Sequence, residues 1–392
     1  MFHIQFNRVL SLFKLLEQNS FFLFGPRAVG KSFLIQTQLN PAFLIDLMDP
    51  NEFTRYSTRM ATFEEDLAQL QEGELVVIDE IQRLPSVLNS VHRLIERKKI
   101  KFLLTGSSAR KIKRQPGINL LAGRAWEANL FPLTSNEIPD FNILDYLNRG
   151  GLPRVYQVKN YYEELHAYCN LYLKEEIFQE GLTRNLEAFS RFLEVAALQC
   201  GEELSFQNIG SDAQVNAKTV GNYFEILEDT LLGFQVPAYR KTNKRKAITR
   251  AKFYLFDIGV TNNLAKRGRI LYKSELFGKA FEHFIALELR AYLSYRRLNQ
   301  TLSYWRSVNG QEVDFIIGDE CAIEVKSTEF VSKKYLNGLL ALKEENIVKK
   351  YYLISLDVRE RHVEGIRILP YKIFLDLLWQ DELLIAAEPS SF

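Results

Sequence analysis

Short apolar stretches alternate with segments of helical periodicity through the first third of the chain. Five of these stretches predict β-strands, and they lie near residues 20–24, 42–46, 74–78, 101–105 and 126–131. Strands that alternate with helices in this way are typical of a parallel sheet with crossover helices. The pattern therefore predicts an α/β domain over residues 1–150.

A glycine-rich turn follows the first predicted strand and precedes a helical segment. The stretch "GPRAVGKS" fits the spacing G-x-x-x-x-G-K-[ST], in which backbone N–H groups curl around phosphate oxygens. We expect Lys31 to reach the β- and γ-phosphates of a nucleotide and Ser32 to hold magnesium. The alternative is a strand–helix turn without a ligand. The predicted nucleotide-binding residues here are Gly25, Pro26, Arg27, Ala28, Val29, Gly30, Lys31, Ser32 and Phe33.

Two later strands of this region end in polar residues. In "ELVVIDEIQRLP" these are Asp79 and Glu80, and ligands of open α/β sheets bind at the carboxyl ends of strands. We expect Asp79 to bind magnesium through water and Glu80 to polarise the attacking water. In "KFLLTGSSAR" we expect Ser107, ahead of Thr105 and Ser108, to contact the γ-phosphate. A helix N-cap is the alternative in both places.

The stretch "LLAGRAWE" places Arg124 after a turn of small residues. This residue is either an arginine finger for the nucleotide of a neighbouring subunit or an ordinary exposed arginine. With "GPRxxGKS", "DEIQ", "TGSSAR" and "LAGR" all present, residues 1–150 resemble AAA-type P-loop ATPases. The resemblance implies ATP and Mg²⁺ as cofactors and a homo-oligomer, expected to be a ring.

The middle of the chain, residues 151–250, is predicted to be mainly helical. Apolar residues at helical spacing over 161–200 indicate two or three helices, interpreted as a lid over the nucleotide. Residues 204–239 then show two helices and a strand, the pattern of a winged helix. If it reads DNA, the exposed face carries Asn216, Lys218, Thr219 and Asn222. A structural role as spacer or subunit contact is the alternative.

A basic stretch, "RKTNKRKAITRAK", follows the predicted winged helix. Its Lys244, Arg245 and Lys246 are predicted to track DNA phosphates. Because no aromatic residues are interleaved with these charges, a solvated linker is the alternative.

The stretch "EVDFIIGDECAIEVKS" predicts two strands joined by a tight turn. If the strands pair as a hairpin, alternation gathers Asp314, Glu324 and Lys326 on one face. Two neighbouring carboxylates repel each other unless a cation lies between them, and oxygen ligands suit Mg²⁺ or Mn²⁺. An ordinary salt bridge between Glu324 and Lys326 is the alternative.

A helix upstream, "LFGKAFEHFIALELRAYL", carries Glu282 among apolar positions. A helical acid followed by Asp and then Glu-x-Lys on a hairpin resembles the PD-(D/E)XK nuclease core, although Val313 stands where the motif has proline. The resemblance implies a metal held by Glu282, Asp314 and Glu324, and a catalytic Lys326 that orients water or steadies the phosphate. Lys333 and Lys334, at the start of the next predicted helix, are expected to contact the DNA backbone.

Composition agrees with a folded protein and excludes few functions. Hydrophobic residues make up 47% and charged residues 25% of the 392, and the net charge is +2. The three cysteines are scattered, which favours a reducing cytosol over zinc binding, and no apolar run approaches the about 18 residues that span a bilayer. A cytoplasmic location without membrane attachment is therefore expected.

The whole chain predicts an α/β protein with three domains. An AAA-type ATPase domain (1–150) precedes a helical lid with a winged helix (151–250) and a restriction-endonuclease-like α/β domain (251–392). The expected function is an ATPase coupled to metal-dependent DNA cleavage. The alternatives are a nucleotide switch with a silent nuclease fold, and a winged-helix DNA-binding regulator.

Overall fold

The structure is a computed structural model and describes residues 6–107, 110, 121, 123–173, 185–242 and 244–384. The chain divides into two compact units. The first unit comprises Asn7–Pro132 and Asp229–Leu232, and the second unit comprises Met1–Phe6, Leu133–Glu228 and Gly233–Phe392. Each unit has its own main sheet.

The first unit contains a five-stranded parallel sheet with the order β2-β3-β4-β1-β5. The strands are β1 (Ser20–Phe24), β2 (Phe43–Asp46), β3 (Leu75–Asp79), β4 (Lys101–Gly106) and β5 (Ala125–Asn129). The helices are α1 (Leu12–Gln18), α2 (Lys31–Gln38), α3 (Pro50–Thr58), α4 (Met60–Asp66) and α5 (Leu88–Lys98). Two 3₁₀ turns, Ile81–Arg83 and Pro85–Val87, lead from β3 to α5. The predicted alternation of strands and helices is confirmed.

The core of the first unit explains why these residues form a parallel sheet. Every residue of β1 is buried, as are the centres of β3 and β4. Phe22 and Phe24 stack in this core with their ring centroids 5.6 Å apart. Strands buried on both faces read as continuous apolar runs, which is the pattern seen here. Because the strands are parallel, their carboxyl ends meet at one edge.

The second unit begins with helices and a two-stranded sheet. Its helices up to this sheet are α6 (Ile143–Arg149), α7 (Pro153–Gln157), α8 (Tyr161–Ala167), α9 (Leu186–Leu198), α10 (Phe206–Ala213) and α11 (Ala217–Asp229). A 3₁₀ turn spans Ser135–Glu137, and a π-helical turn spans Tyr168–Leu173. The strands β6 (Gly233–Val236) and β7 (Lys252–Leu255) pair in antiparallel fashion. The helices predicted over 161–200 are confirmed where the chain is described, and residues 174–184 lie outside that part.

A six-stranded mixed sheet follows, with the order β12-β13-β11-β10-β9-β8. Its strands are β8 (Leu302–Arg306), β9 (Glu312–Ile317), β10 (Cys321–Lys326), β11 (Lys350–Ser355), β12 (Arg361–Val363) and β13 (Ile366–Pro370). The accompanying helices are α12 (Ile258–Leu264), α13 (Glu275–Tyr295), α14 (Asn337–Lys343) and α15 (Tyr371–Trp379). A 3₁₀ turn over Lys333–Leu336 precedes α14, where one continuous helix was expected.

The structure differs from the expected boundary at residue 150, because residues 133–150 pack within the second unit. The Leu133 N–H donates to the carbonyl of Gly151 over 2.7 Å, and Phe141 stacks on Phe284 of α13. Glu288 of the same helix accepts the Ser135 N–H over 2.7 Å. These contacts connect the segment to α13 rather than to the parallel sheet. The two C-terminal regions that we expected as separate domains form one compact unit.

Among the described residues, no helix has both the length and the apolarity that crossing a bilayer requires.

Candidate functional site

The glycine-rich loop of the first unit lies between β1 and α2, at the carboxyl edge of the parallel sheet. Two of its residues have a left-handed backbone, Ala28 with a φ of 64° and Gly30 with a φ of 96°. At Gly25 a Cβ atom would lie 2.5 Å from the carbonyl oxygen of Leu130, so glycine is required there by close packing. The sequence pattern thus corresponds to a tightly turned loop that ends at a helix N-terminus.

Lys31 folds back over this loop. Its ammonium donates to the carbonyl oxygen of Gly25 over 2.6 Å and to that of Pro26 over 3.2 Å, and the residue is 7% exposed. The Arg8 guanidinium supports the loop by donating to the Val29 carbonyl over 3.2 Å. A cation held at the centre of a loop of backbone N–H groups can neutralise phosphate oxygens. The remaining loop residues differ in exposure: Pro26 and Val29 are buried, Arg27 is half-buried, and Ala28 and Phe33 are exposed.

A carboxylate lies beside the loop at the end of β3. Ser32 Oγ donates to Asp79 Oδ2 over 3.0 Å, and Thr105 Oγ1 at the end of β4 donates to Asp79 Oδ1. The side chain of Ser32 is exposed, so the pair is accessible from solvent. A hydroxyl and a carboxylate in contact supply the oxygen ligands that magnesium takes at P-loop sites. The residues present therefore fit a nucleotide-bound Mg²⁺.

Glu80 has a left-handed backbone with a φ of 58°. Its Oε2 accepts a hydrogen bond from Gln82 Nε2 over 2.5 Å, and the same nitrogen donates to Ser107 Oγ over 3.2 Å. Gln82 therefore joins the predicted water-polarising glutamate to the predicted phosphate-contacting serine. The sequence analysis missed Gln82, although its place in "DEIQ" was a signal for it. Thr105 was ranked behind Ser107. Ser108 lies outside the described residues.

Arg124 lies at the other edge of the sheet. It immediately precedes β5, and the register pairs Ser20 at the start of β1 with Ala125. The phosphate loop follows the opposite end of β1. Because β1 has five residues, Arg124 and the loop of its own chain are separated by about 16 Å along the strand direction. Its guanidinium pairs with Glu96 of α5, and its side chain is 36% exposed. The in-trans role stays a prediction.

The second charged site is in the six-stranded sheet. β9 and β10 form the predicted antiparallel hairpin, in which Phe315 pairs with Ile323, so Asp314 lies opposite Glu324. Asp314 is 4% exposed and Glu324 is 5% exposed. Lys326 Nζ lies 2.5 Å from Glu324 Oε1 and 3.7 Å from Asp314 Oδ2. The predicted gathering of these three side chains on one face is confirmed.

Burial and mutual repulsion govern the ionisation of this pair. Desolvation raises the pKa of Glu324 well above its usual value, and the neighbouring Asp314 charge raises it further. The pKa of Asp314 is raised by desolvation and by the charge of Glu282, while Lys326 and Lys252 act in the opposite direction. Burial alone would lower the pKa of Lys326, but the two carboxylates outweigh it and raise that pKa. Lys326 supplies positive charge beside the two carboxylates, which is the ion pair weighed as the alternative to a metal.

Glu282 on α13, the third predicted ligand, is held by residues from β7. Its Oε1 accepts a hydrogen bond from Tyr254 Oη over 2.6 Å and lies 3.2 Å from Lys252 Nζ. The same Nζ lies 2.7 Å from Glu312 Oε1 at the start of β9. Lys252 belongs to the basic stretch interpreted as a DNA-tracking loop or a linker, yet it is buried at 5% exposure. Sequence reasoning missed its partnership with Glu282 because neither residue's neighbours indicate it.

The carboxylates fit a divalent cation in part. Among the described residues, Glu324 Oε2 is buried and has no hydrogen-bond partner. However, within the described ranges, no three His, Cys, Asp or Glu side chains are grouped closely enough to hold a metal ion. Lysines lie between the acids instead. The metal site of Glu282, Asp314 and Glu324 stays a prediction.

The predicted DNA-contacting residues fall into two classes. Arg245 is engaged within the protein: its guanidinium contacts Glu344 over 2.5 Å and Glu345 over 3.3 Å, and Lys244 Nζ donates to the Glu344 carbonyl. These contacts tie part of the basic stretch to the end of α14, whereas Lys244 and Lys246 are themselves exposed, so a role in tracking DNA phosphates stays a prediction. Lys246 lies in the same stretch, and its carbonyl accepts the Val308 N–H over 3.1 Å.

The other class lies outside the basic stretch. Lys218 and Asn222 are exposed on α11, whereas Asn216 caps that helix by accepting the Thr219 N–H over 2.8 Å and the Thr219 hydroxyl over 2.9 Å. Lys333 has an 82% exposed side chain and pairs with Glu364 over 3.2 Å. Lys334 lies over the Tyr335 ring, 4.9 Å from its centroid.

Comparison with protein families agrees with the site in the first unit. Residues 17–139 match the model of an AAA domain. Together with the phosphate loop and the Ser32–Asp79 pair, this match makes the N-terminal part of the chain an AAA-type P-loop ATPase domain, for which ATP and Mg²⁺ are the usual cofactors. Residues 140–269 and 277–374 match two further models, each described as a domain of unknown function.

Similar whole proteins are uncharacterized. A protein of Methanocaldococcus jannaschii is 23% identical over 91% of this chain and 84% of its own length. A protein of Haemophilus influenzae is 22% identical over 78% of each chain. Both are named only as uncharacterized proteins.

Solved structures show low overall similarity. The crystal structure of Cdc6p from Pyrobaculum aerophilum has a TM-score of 0.26 and 12% identity, over 66% of this chain and 91% of that one. The Bacillus subtilis DNA clamp loader delta protein has a TM-score of 0.23 and 12% identity, over 56% and 87% of the two chains. Similarity at this level supports no statement about this chain.

Proposed function

We propose that the chain is an ATP-dependent DNA-processing protein. In this proposal the AAA-type domain hydrolyses ATP and the second unit cuts a phosphodiester with the help of a divalent cation. The observation that carries the nuclease part is the buried Glu324 carboxylate, which lies opposite Asp314 and beside Lys326 and whose Oε2 has no hydrogen-bond partner in the described part of the chain. A cytoplasmic location and a ring-shaped homo-oligomer belong to the same proposal.

ATP hydrolysis is assigned to the edge of the parallel sheet. The loop Gly25–Gly30 and the N-terminus of α2 would bind the phosphates, and Lys31 would neutralise the charge that develops on the γ-phosphate. Ser32 and Asp79 would hold Mg²⁺. Glu80, oriented by Gln82, would accept a hydrogen bond from the attacking water and align its oxygen with phosphorus. Arg124 would act on the nucleotide of a neighbouring subunit.

DNA cleavage is assigned to the carboxylates of the second unit. The proposal is supported by the order α13, β8, β9, β10, α14, β11, in which a helix precedes the acidic hairpin and a helix and a strand follow it. A bound Mg²⁺ or Mn²⁺ would activate water and neutralise the phosphate. Lys326 would steady a phosphate oxygen while the water oxygen bonds to phosphorus. The water would release a proton to solvent as its oxygen bonds to phosphorus, and the bond from phosphorus to the leaving sugar oxygen would break, with that oxygen protonated from solvent.

DNA is the expected partner of the second unit. Three helices, α9 to α11, precede the antiparallel strands β6 and β7, which is the order of elements in a winged helix. Lys218 and Asn222 are exposed on α11, the helix that directly precedes these strands. Lys333 and Lys334 are exposed after β10. Contacts of this kind position a protein on the phosphate backbone and carry little sequence information.

A cleavage assay with the purified chain tests this function. Plasmid and branched DNA are incubated with Mg²⁺ or Mn²⁺, with and without ATP, and ATP turnover is measured in the same samples. We expect metal-dependent cutting that is lost in Glu324→Ala and in Lys326→Ala, while both variants still hydrolyse ATP. If the wild-type chain turns over ATP but cuts no DNA form with either metal, the nuclease assignment is wrong.

A second function is supported by the pairing of the acids with lysines. Lys252 neutralises Glu282 and Glu312, and Lys326 neutralises Glu324. In a nucleotide switch, this cluster would be a silent, internally satisfied part of a docking unit, and ATP would control partner binding. The cleavage assay separates the two functions, because the switch requires ATP turnover without cutting.

A further inference from the structure

The segment that precedes α1 contacts the phosphate loop of the first unit. The Arg8 guanidinium donates through one nitrogen to the Val29 carbonyl over 3.2 Å and through another to the Phe131 carbonyl over 2.5 Å. Phe131 lies two residues after the end of β5. One side chain thus joins three separate parts of the chain, and the phosphate loop is one of them.

The same segment also contacts the far end of α2. The Gln38 side chain donates to the Leu10 carbonyl over 3.1 Å and accepts the Leu12 N–H over 2.8 Å. Gln38 is the last residue of α2, whereas the phosphate loop immediately precedes the first residue of that helix. Residues 8–12 therefore hold the loop and its helix at both ends.

The contact with Val29 sets the direction of a backbone N–H in the loop. In a trans peptide the carbonyl and the following N–H point in opposite directions, so the Gly30 N–H points away from the Arg8 guanidinium. Gly30 has a φ of 96°, and glycine enters this region about as readily as others. Because glycine permits more than one orientation of the peptide before it, a contact from outside the loop selects one. Phosphate oxygens are bound by backbone N–H groups that point into such a loop.

The second acceptor of Arg8 is itself held near the start of the loop. The Leu130 N–H donates to the Phe24 carbonyl over 2.7 Å, and a Cβ atom at Gly25 would lie 2.5 Å from the Leu130 carbonyl oxygen. The Phe131 carbonyl follows directly, so it is a fixed acceptor. A planar guanidinium that donates to two carbonyl groups is restricted in both position and rotation.

We propose that Arg8 is a positioning residue for nucleotide binding, which keeps the Val29–Gly30 peptide in the orientation in which the loop binds phosphate. This inference rests on the proposed ATP hydrolysis at this loop and is independent of the carboxylate cluster. Because Arg8 acts through the loop, its loss should change the affinity for ATP and leave the chemical step nearly unaffected. A hydrogen bond from a charged donor corresponds to about a 10- to 100-fold change in an equilibrium constant.

Nucleotide binding and turnover by the full-length chain test the proposal. The dissociation constant of a fluorescent ATP analogue, and kcat and KM for phosphate release, are measured for the wild type, Arg8→Met and Arg8→Lys. Arg191→Met is the matched control, since Arg191 is also half-buried and its guanidinium donates to the Ala213 carbonyl over 3.2 Å in the second unit. Thermal unfolding of each variant is recorded in parallel.

We expect Arg8→Met to bind the analogue about 10- to 100-fold more weakly and to raise KM by a similar factor, with kcat within about threefold of the wild type. Arg191→Met should keep the wild-type affinity, even if its unfolding temperature falls. Wild-type affinity in Arg8→Met, or an equal loss in Arg191→Met, overturns the positioning role. A fall in kcat at unchanged affinity overturns it too, because Arg8 would then act on the chemical step. If the wild type binds no ATP analogue, the proposed ATP hydrolysis fails and this inference fails with it.

Arg8→Lys separates the contact with two carbonyl groups from the positive charge alone. Lysine keeps the charge but lacks the planar fork of the guanidinium, so we expect an affinity between those of the wild type and Arg8→Met. Wild-type affinity in Arg8→Lys overturns the role of the two-carbonyl contact. Should Arg8→Met fail to fold, Arg8→Lys decides the proposal by the same measurement.

Discussion

The phosphate loop and the carboxylate cluster bring their charges together in different ways. In the first unit, Lys31 contacts carbonyl groups five and six residues away within its own loop, and the exposed Ser32 reaches Asp79 at the end of β3. In the second unit, Lys252 and Glu282 meet from separate segments, both acids of the hairpin are buried, and each charge has a partner. The first site lies along one sheet edge and is partly open to solvent, whereas the second is assembled from a strand, a helix and a hairpin and is closed around the two hairpin acids.

This difference affects what each site tolerates. The exposed Ser32 and the half-buried Glu80 pay less desolvation cost, so a change at either of them alters chemistry more than stability. Buried charges are stable only as pairs, and the loss of one partner leaves an uncompensated charge. Mutations at the first site should therefore lower activity with little loss of stability, whereas mutations at the second site should lower both.

The largest effect is expected from Glu80→Gln. Because general-base and water-positioning groups contribute about 10²–10⁴-fold to rates, ATP hydrolysis should fall by that factor. ATP binding should persist, since Lys31 and the loop are unchanged. Steady-state phosphate release and binding of a fluorescent ATP analogue measure the two quantities.

The control for Glu80→Gln is Glu72→Gln, which changes an exposed glutamate before β3. It should retain wild-type turnover. Equal turnover in Glu80→Gln and the wild type would remove Glu80 from the mechanism and weaken the picture of an open, chemically specialised edge.

Next in size is the effect of Lys252→Met on stability. Removal of one partner of a buried ion pair costs about 3–5 kcal/mol, and Lys252 serves two acids. Lys266→Met is the matched change at an exposed pair, since the Lys266 and Glu194 side chains are 74% and 44% exposed. It should cost at most about 1 kcal/mol. Urea denaturation of both variants measures the difference, and similar losses would contradict the closed character of the cluster.

The third prediction concerns Glu288, a buried acid for which the described residues supply no cationic partner. Burial raises the pKa of Glu288 to about 7, although the Ser135 N–H and hydroxyl and the Trp379 indole N–H donate to it. As the pH rises from about 4.5 to 7, the unfolded chain loses this proton first, so the folded state loses stability. A shift of this size corresponds to a loss of about 3 kcal/mol across that window.

Glu288→Gln removes this titration, so the free energy of unfolding should fall less between pH 5 and 7.5 than in the wild type. The variant also loses an acceptor for the Ser135 or Trp379 donors, which lowers its stability at every pH. Glu187→Gln, at an exposed position of α9, should keep the wild-type pH dependence. A wild-type slope in Glu288→Gln would show that other groups cause the effect.

Local patterns predicted the first unit well. The five strands, the phosphate loop and the placement of Asp79 at the sheet edge were all expected, because apolar runs and glycine spacing are properties of neighbouring residues. The pairing of Asp314 with Glu324 was also expected, since a tight turn sets the register of a hairpin. The resemblance to AAA-type ATPases agrees with the family comparison of residues 17–139.

Long-range contacts account for what was not predicted. Lys252 was interpreted as part of a basic stretch, and only its packing against α13 showed its pairing with Glu282. Arg245 likewise turned out to contact Glu344 and Glu345. Residues 133–150 were assigned to the ATPase domain, but the Ser135–Glu288 contacts connect them with the second unit.

The amino-acid sequence alone determined the strands, the phosphate loop and the acidic hairpin. The strands and the loop depend on residues that are close in sequence, and the hairpin depends on the register that its tight turn sets. Only the tertiary structure decided which charge neutralises which. A lysine and a glutamate 30 residues apart carry no mark of their partnership until burial makes an unpaired charge costly. The stretch around Asp314 and Glu324 is therefore one part of a larger cluster that also depends on β7.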